Sequence, residues 1–350
     1  MKTIIRKINS RYPENEIIKE AGDILRKGGL VAFPTETVYG LGGNALDAKA
    51  SEKIYAAKGR PSDNPLIVHI ASLEDLDKIV ESVPEKAKIL ANAYWPGPLT
   101  MILKKSPAVP YETTGGLESV AVRYPSHRVA QALILAGGGF IAAPSANTSG
   151  RPSPTTAEHV KEDLSGAVDM ILDGGQVGIG IESTIVDFTE EVPTVLRPGY
   201  ISLDMLREKL GEVKMDRGLL KNDGNQHPKA PGMKYRHYAP KAELTIVEGQ
   251  TERVVAYINE KAAKAAQRGK KIGIIGTSET VSAYSEGVIR CIGSRENEES
   301  IALHLYEVLR DFDQYDVEAI YSEAFDTPRM GQAIMNRLLK AAGHRVIRVE

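Results

Sequence analysis

The sequence predicts an α/β protein of two domains joined by an irregular segment. Two observations carry this. Apolar runs of strand length alternate with helical patterns in both halves of the 350-residue chain. Between Gly211 and about Lys241 that periodicity gives way to a stretch rich in Gly, Pro, Asn and Lys, too long for an ordinary loop. The expected division is a first domain at 1–210, a linker or lid at 211–241 and a smaller C-terminal α/β domain at 242–350.

The elements follow in order. LVAF (Leu30–Phe33) reads as a buried strand, AKASEKIYAAK as a helix ending near Lys58, and PLIVHI (Pro65–Ile70) as a second strand. EKAKILANAYW is a helix stopped by Pro96-Gly97-Pro98. LTMILKK, SVAVRYP and GFIAAP are strands, the last two separated by the helix HRVAQALILAG. Thr155 with Glu158 fits a capping box opening TAEHVKEDL. The strands of AVDMILDGG, STIVDF and TVLRPG follow, and Ser202 caps LDMLREKL. After the irregular stretch come ELTIVEG, ERVVAYINEKAAKAAQR, KKIGIIGT, ALHLYEVLRDF, EAIYSEAF and GQAIMNRLLKAAG, again alternating.

Composition narrows the function. The chain is 42% hydrophobic and 26% charged, with a net charge of −2 and a pI near 6.4. No global field favours nucleic acid or membrane, so any anion site is a local cluster. The single cysteine, Cys291, excludes an intrachain disulfide and is expected to be buried in VIRCIG. There is no signal-peptide core and no apolar run of membrane-spanning length, so a cytoplasmic protein without membrane contact is expected.

Polar residues gather where strands end. Pro34, Thr35, Glu36, Thr37 and Tyr39 follow the first strand; Pro144, Ser145, Ala146, Asn147, Thr148 and Ser149 follow FIAA; Arg197 follows TVL. Each alone reads as a turn closer. Together they build a polar crevice beyond strand ends, where open α/β sheets bind ligands. Arg123 lies in phase with Ala121 and faces inward, so it needs an anionic partner. In KGRPSDNPL, Lys58 and Arg60 supply a point charge and a fork for phosphates on a loop stiffened by Pro61 and Pro65. Gly115-Gly116 and Gly174-Gly175 are expected to bring backbone N–H groups close to an anion.

Known signatures are absent. There is no P-loop, no G-x-S-x-G and no zinc spacing. Gly40 to Ala45 matches G-x-G-x-x-A, but six residues separate it from the strand and no acidic residue ends the next one, so a dinucleotide site is rejected. Cations, hydrogen-bond donors and no nucleophile suit phosphoryl or nucleotidyl transfer.

PTETVYGLGGNA, KGRPSDNPLIVHI, PSANTSGRPSPT, ESTIVD, LRPG and APGMKYRHYAP together resemble the threonylcarbamoyl-AMP synthase family, in its long two-domain form, over the whole chain. The resemblance implies a YrdC-like open twisted mixed sheet with helices, followed by a linker and a Rossmann-like domain. It implies a nucleotidyltransferase that joins L-threonine, bicarbonate and ATP into threonylcarbamoyl-AMP and pyrophosphate. The product would supply threonylcarbamoyladenosine formation next to the tRNA anticodon through downstream threonylcarbamoyl-transferase proteins, with at most a weak RNA contact by this chain.

By the same resemblance the catalytic Lys-x-Arg and Ser-x-Asn tetrad falls on Lys58, Arg60, Ser145 and Asn147. Gly59 stands where members often carry arginine, a change expected to loosen the loop. Thr37, His69, Arg123, Ala143 (through its backbone) and Ser183 would surround threonine. Arg60, Asn64, Ser119, Ser145, Ser153 and Arg197 would hold ATP, with Mg2+ accompanying the triphosphate and no protein ligand assigned to it. Tyr235 and His237, in the aromatic and cationic tip of the linker, are candidate nucleotide contacts in a lid. Two alternatives compete: an RNA-binding module with a concave cationic surface, and a carbamoyl-transfer accessory domain. The acidic pI and the lack of basic-aromatic interleaving oppose the first. The complete tetrad opposes the second.

Overall fold

A computed structural model describes residues 2–216, 229–230, 237–325 and 328–350. The chain divides into two compact units. One comprises Met1–Ser149, Ser153–Gly178 and Glu182–Tyr235; the other comprises Gly150–Pro152, Ile179–Ile181 and Arg236–Glu350.

The first unit is built on one mixed sheet. Its strands are β1 (Ile4–Lys7), β2 (Val31–Phe33), β3 (Gly40–Asn44), β4 (Ile67–His69), β5 (Leu99–Lys104) and β6 (Ser119–Arg123). They continue as β7 (Ile141–Ala142), β8 (Met170–Asp173), β9 (Thr184–Asp187), β10 (Thr194–Arg197) and β11 (Lys214–Met215). Among the described residues the order across the sheet is β1-β8-β2-β3-β7-β4-β6-β5-β9-β10-β11. Val31–Phe33 and Ile67–His69 are short and wholly buried, and Leu99–Lys104 is buried up to its exposed last residue, Lys104.

Helices cover both faces. On one, Ala21 and Leu25 of helix Asn15–Arg26 and Val129 and Leu133 of helix Arg128–Ala136 pack over Val31, Phe33, Ile141 and Met170. The opposite face carries the largest core, with Ile54, Leu90, Val160 and Leu206 from four helices against Val68, Met101, Val120 and Val122. Further along the first face the cover changes. Ile67, Ile102, Ala121, Ile185 and Leu196 cluster with Ala230, a set with no helical member. This face also carries the site.

Several details differ from the sequence reading. Gly40–Asn44, which imitates a dinucleotide fingerprint, is itself a strand pairing antiparallel with β2 and β7. A Cβ at Gly42 would stand 2.8 Å from Ile141 and 2.9 Å from Phe33, so the glycine permits the close packing. Helix Ala157–Leu164 is capped by Thr156, whose side chain accepts from His159 N–H, one residue after the expected Thr155. Thr155 is buried and faces the His159 ring instead. Ser202 caps its helix as expected, accepting from Met205 N–H. Strand β11 extends the sheet into the stretch expected to be irregular.

The second unit holds β12 (Glu243–Gly249), β13 (Gly273–Gly276), β14 (Val288–Cys291), β15 (Ala319–Glu323) and β16 (Val346–Val349), in the order β14-β13-β15-β12-β16. Every pairing is parallel. Cys291 is exposed, not buried, because β14 is an edge strand whose residues are all at least partly accessible. No helix among the described residues is long and apolar enough to cross a membrane.

Candidate active site

Helix Ala48–Lys58 sets the cationic loop. Asp47 caps its start, accepting from Lys49 N–H. Gly59 ends it at φ 60°, the left-handed conformation that side chains with a Cβ resist. Gly59 N–H returns to Ala56 O and Arg60 N–H to Tyr55 O, so the glycine tightens the turn it was expected to loosen. Lys58 is thereby turned inward, 2% exposed, and its ammonium donates to Ser145 O and Asn147 O. Arg60 donates to Asn64 O and Pro65 O, both at 3.2 Å. Ser145 Oγ donates to Asn147 Oδ1 at 2.5 Å. Three tetrad members are thus in direct contact, and Arg60 lies two residues from Lys58.

A second group lies where β4 and β6 end, at the other end of β4 from the Arg60 contacts with Asn64 O and Pro65 O. His69 and Arg123 are register partners in β4 and β6, and Thr100 lies opposite Arg123 on β5. The Arg123 guanidinium donates to Thr37 Oγ1 at 2.8 Å and pairs with Glu36 at 2.8 Å. Glu36 is the anionic partner that a buried arginine requires. Burial, the largest single influence, would raise its carboxyl; the Arg123 charge together with hydrogen bonds from Arg123 and from backbone N–H groups outweighs it and holds the carboxyl below the usual carboxylate range. Thr100 bonds Ser183 Oγ at 2.7 Å, and Arg197 grips Ser183 at both its carbonyl, 3.0 Å, and its hydroxyl, 3.1 Å. Ala143 N–H donates to Ile67 O at 2.8 Å, fixing the backbone beside β4.

The remaining expected residues are Ser119, Asn64, Ser153, Tyr235 and His237. Ser119 opens β6, at the opposite end of that strand from Arg123, a span of about 13 Å. It lines a cavity of about 430 Å³ with Lys104, Thr189 and Lys229. Asn64 is 2% exposed, and its Oδ1 has no partner among the described residues. Ser153 donates to Glu182 at 2.5 Å. Tyr235 lies outside the described residues. His237 belongs to the second unit, where its ring meets Tyr238 at 5.5 Å.

One expectation fails. The glycine pairs do not present N–H groups to an anion. Gly115 and Gly116 both donate to Tyr111 O, Gly174 donates to the Tyr39 hydroxyl and Gly175 to Asp173. They close turns. Sequence reasoning also passed over Glu36 and Thr100. Glu36 stood among the polar residues after the first strand, and only an inward-facing Arg123 signals that one of them must be its counter-ion.

His69 is buried, and its Nδ1 lies 3.0 Å from Ile67 O. Burial, with the nearby Arg123 charge second, pushes its pKa down from 6.5 to about 3. The fold therefore keeps His69 neutral where the unfolded chain takes up a proton. Its contribution is complete above pH 6.5 and declines as pH falls from there towards 3, by up to about 1.4 kcal/mol per pH unit. A His69→Asn variant is expected to lose less stability than the parent between pH 6.5 and 5, measured by urea unfolding. Equal slopes would contradict the assignment.

Comparison with known proteins places this geometry. A family model described as telomere recombination, named for Sua5, YciO and YrdC, matches residues 23–199, and another described as threonylcarbamoyl-AMP synthase, C-terminal domain, matches residues 201–343. The threonylcarbamoyl-AMP synthase of Pyrococcus abyssi is 48% identical over 347 residues, covering 99% of this chain and all of that protein. That of Bacillus subtilis is 49% identical over 332 residues, covering 95% of this chain and 94% of its own. The crystal structure of P. abyssi Sua5 complexed with L-threonine superposes with a TM-score of 0.94 at 46% identity, over 99% of this chain and 100% of that one. The expected two-part α/β architecture is that of these relatives, and an enzyme is favoured over an RNA-binding module. The chain belongs to the threonylcarbamoyl-AMP synthase family.

Proposed function

We propose that the chain makes threonylcarbamoyl-AMP and pyrophosphate from L-threonine, bicarbonate and ATP. One observation carries the reading. The buried Arg123 guanidinium, with hydroxyl and imidazole neighbours, lies where β4 and β6 end, and Arg60 bonds Asn64 O and Pro65 O just before β4 begins, about one strand length away. That separation suits an amino acid at one end and a nucleotide along the rest.

In this reading the threonine carboxylate meets Arg123, with Thr37 and Ser183 beside it. Neutral His69, its Nδ1–H donated to Ile67 O, offers Nε2 as an acceptor instead of adding a second cation. The threonine ammonium gives up a proton, bicarbonate takes up a proton and loses water to give carbon dioxide, and the amine attacks that carbon dioxide to form the carbamate. The carbamate oxygen then attacks the α-phosphorus. The bond to the bridging oxygen breaks, and pyrophosphate departs with its electron pair. Arg60 and Lys58 neutralise that departing charge, and Asn64, Ser119, Ser145, Ser153 and Arg197 hold the nucleotide. Mg2+ accompanies the triphosphate in this reading, with no protein ligand assigned to it and no step routed through it. The adenylate passes to transferases acting on tRNA.

The test is pyrophosphate release from ATP, with and without threonine and bicarbonate. Release is expected to need both, and independence of either would sink the reading. Threonine is expected to outrun serine in kcat/KM by roughly 10–200-fold, because one methyl in a close apolar contact is worth about 1–3 kcal/mol. Equal turnover of serine would count against a site shaped for threonine.

The linker acts as a lid in this account. Ala230 is fully buried in the apolar cluster on the site face, and its neighbour Lys229 pairs with Asp187 at 3.3 Å and Glu190 at 2.9 Å. A chain ending near Leu210 keeps the helices and all but the last strand of the first sheet, so it is expected to fold. It is expected to bind ATP at least about tenfold more weakly, or to lose its adenylate to hydrolysis. Unchanged affinity and retention would reduce the linker to a spacer.

A further inference from the structure

The second unit contains a crevice that the proposed reaction does not use. It measures about 510 Å³, within the range of small-molecule sites. It lies where β12 and β15 end, at Val247, Glu248 and Gly249 on one and Glu323 and Ala324 on the other. These are the carboxyl ends of adjacent parallel strands, the position at which open α/β sheets take ligands.

Its chemistry is divided. Val247, Val254, Met335 and Leu339 supply apolar wall, the last two only half-buried. Glu323 is 1% exposed and saturated: Tyr284 donates to it at 2.9 Å, Thr280 donates at 2.5 Å, and Arg295 pairs with it at 2.6 Å. Arg295 has donors left over: among the described residues its side chain bonds only Glu323, through Nη2, and is 32% exposed. Helix Thr251–Ala266 starts at the same crevice, and Gln250 gives it no side-chain cap. Among the described residues the backbone N–H groups of Thr251 and Glu252 have no acceptor. Glu248 supplies the opposite sign at the rim, its only described partner being the exposed Arg348 at 3.1 Å.

The balance of these groups decides the ligand class. Two carboxylates and one guanidinium line the crevice, so a simple anion meets a net negative wall. A simple cation meets Arg295 and the positive end of a helix. A molecule with both charges and an apolar body satisfies every part. We propose that this crevice binds a free apolar α-amino acid. Its carboxylate lies against Arg295 and the helix start, its ammonium against Glu248, and its side chain between Val254, Met335 and Leu339.

The test uses the full chain and calorimetric titration with L-valine and L-leucine, chosen over threonine to keep the first unit's site out of the signal. Each is compared with the acid lacking its ammonium, isovalerate or isocaproate, and with its carboxamide. At least one amino acid is expected to bind roughly tenfold or more tightly than both of its analogues. Glu248→Gln, a rim change that leaves the packing intact, is expected to weaken binding roughly tenfold. Leu339→Trp is expected to abolish binding by filling the crevice, and Arg123→Lys, which keeps a cation beside Glu36, to leave it intact. Absence of binding by both amino acids up to about 20 mM overturns the proposal. So does an analogue that matches its parent, or binding lost in Arg123→Lys and kept in Glu248→Gln. No readout depends on catalysis, so failure here and failure of the synthase reading are separate results.

Discussion

Arg123→Lys is expected to raise the KM for threonine by roughly 10–100-fold while the chain stays folded. The guanidinium holds Thr37 and Glu36 through separate nitrogens and still has to receive a carboxylate. An ammonium is a point charge and cannot keep that fork. Arg123→Ala is expected to remove threonine-dependent turnover altogether. It also strips the buried Glu36 of its counter-ion, a loss of about 3–5 kcal/mol in stability. The lysine variant therefore separates binding from folding. If Arg123→Lys keeps the parent's KM for threonine, the amino acid does not lie on Arg123.

Arg60→Ala is expected to lower kcat for pyrophosphate release by about 10²–10³-fold, the usual effect of removing one donor from developing charge. The structural loss is confined to one loop. Two hydrogen bonds from a charged donor, to Asn64 O and Pro65 O, disappear, each worth about 1.5–3 kcal/mol. Lys58 gives a less clean test, because its ammonium also anchors Ser145 O and Asn147 O and its removal disturbs the tetrad itself. Near-normal pyrophosphate release by folded Arg60→Ala would overturn the assignment.

The parts of this site that could be read in the sequence are those that depend on local pattern. Strand-length apolar runs ending at prolines placed Thr37, Ser145, Asn147 and Arg197 beyond strand ends, and the phase of Ala121 and Arg123 turned the arginine inward. What escaped depends on contacts between distant segments. The Glu36 counter-ion is 87 residues from Arg123, and although it is the one carboxylate beside Thr35 and Thr37, nothing local shows that it faces Arg123. Gly40–Asn44 carries almost no β propensity; its neighbours Phe33 and Ile141 make it a strand, because only glycine admits them so closely. The glycine pairs looked like anion cradles because positive φ can be anticipated from sequence, whereas the acceptors of their N–H groups cannot. Cys291 has apolar neighbours, but an edge strand leaves it accessible. In each case the residue type was legible and the partner was not.

The central claim is that one chain joins three substrates into one adenylate. The most direct measurement is mass spectrometry of the product formed from ATP, L-threonine and 13C-bicarbonate, quenched before hydrolysis. The account predicts a single species containing AMP, threonine and one heavy carbon, formed in step with pyrophosphate. A threonyl adenylate without the heavy carbon, or pyrophosphate released with no such product, would contradict it.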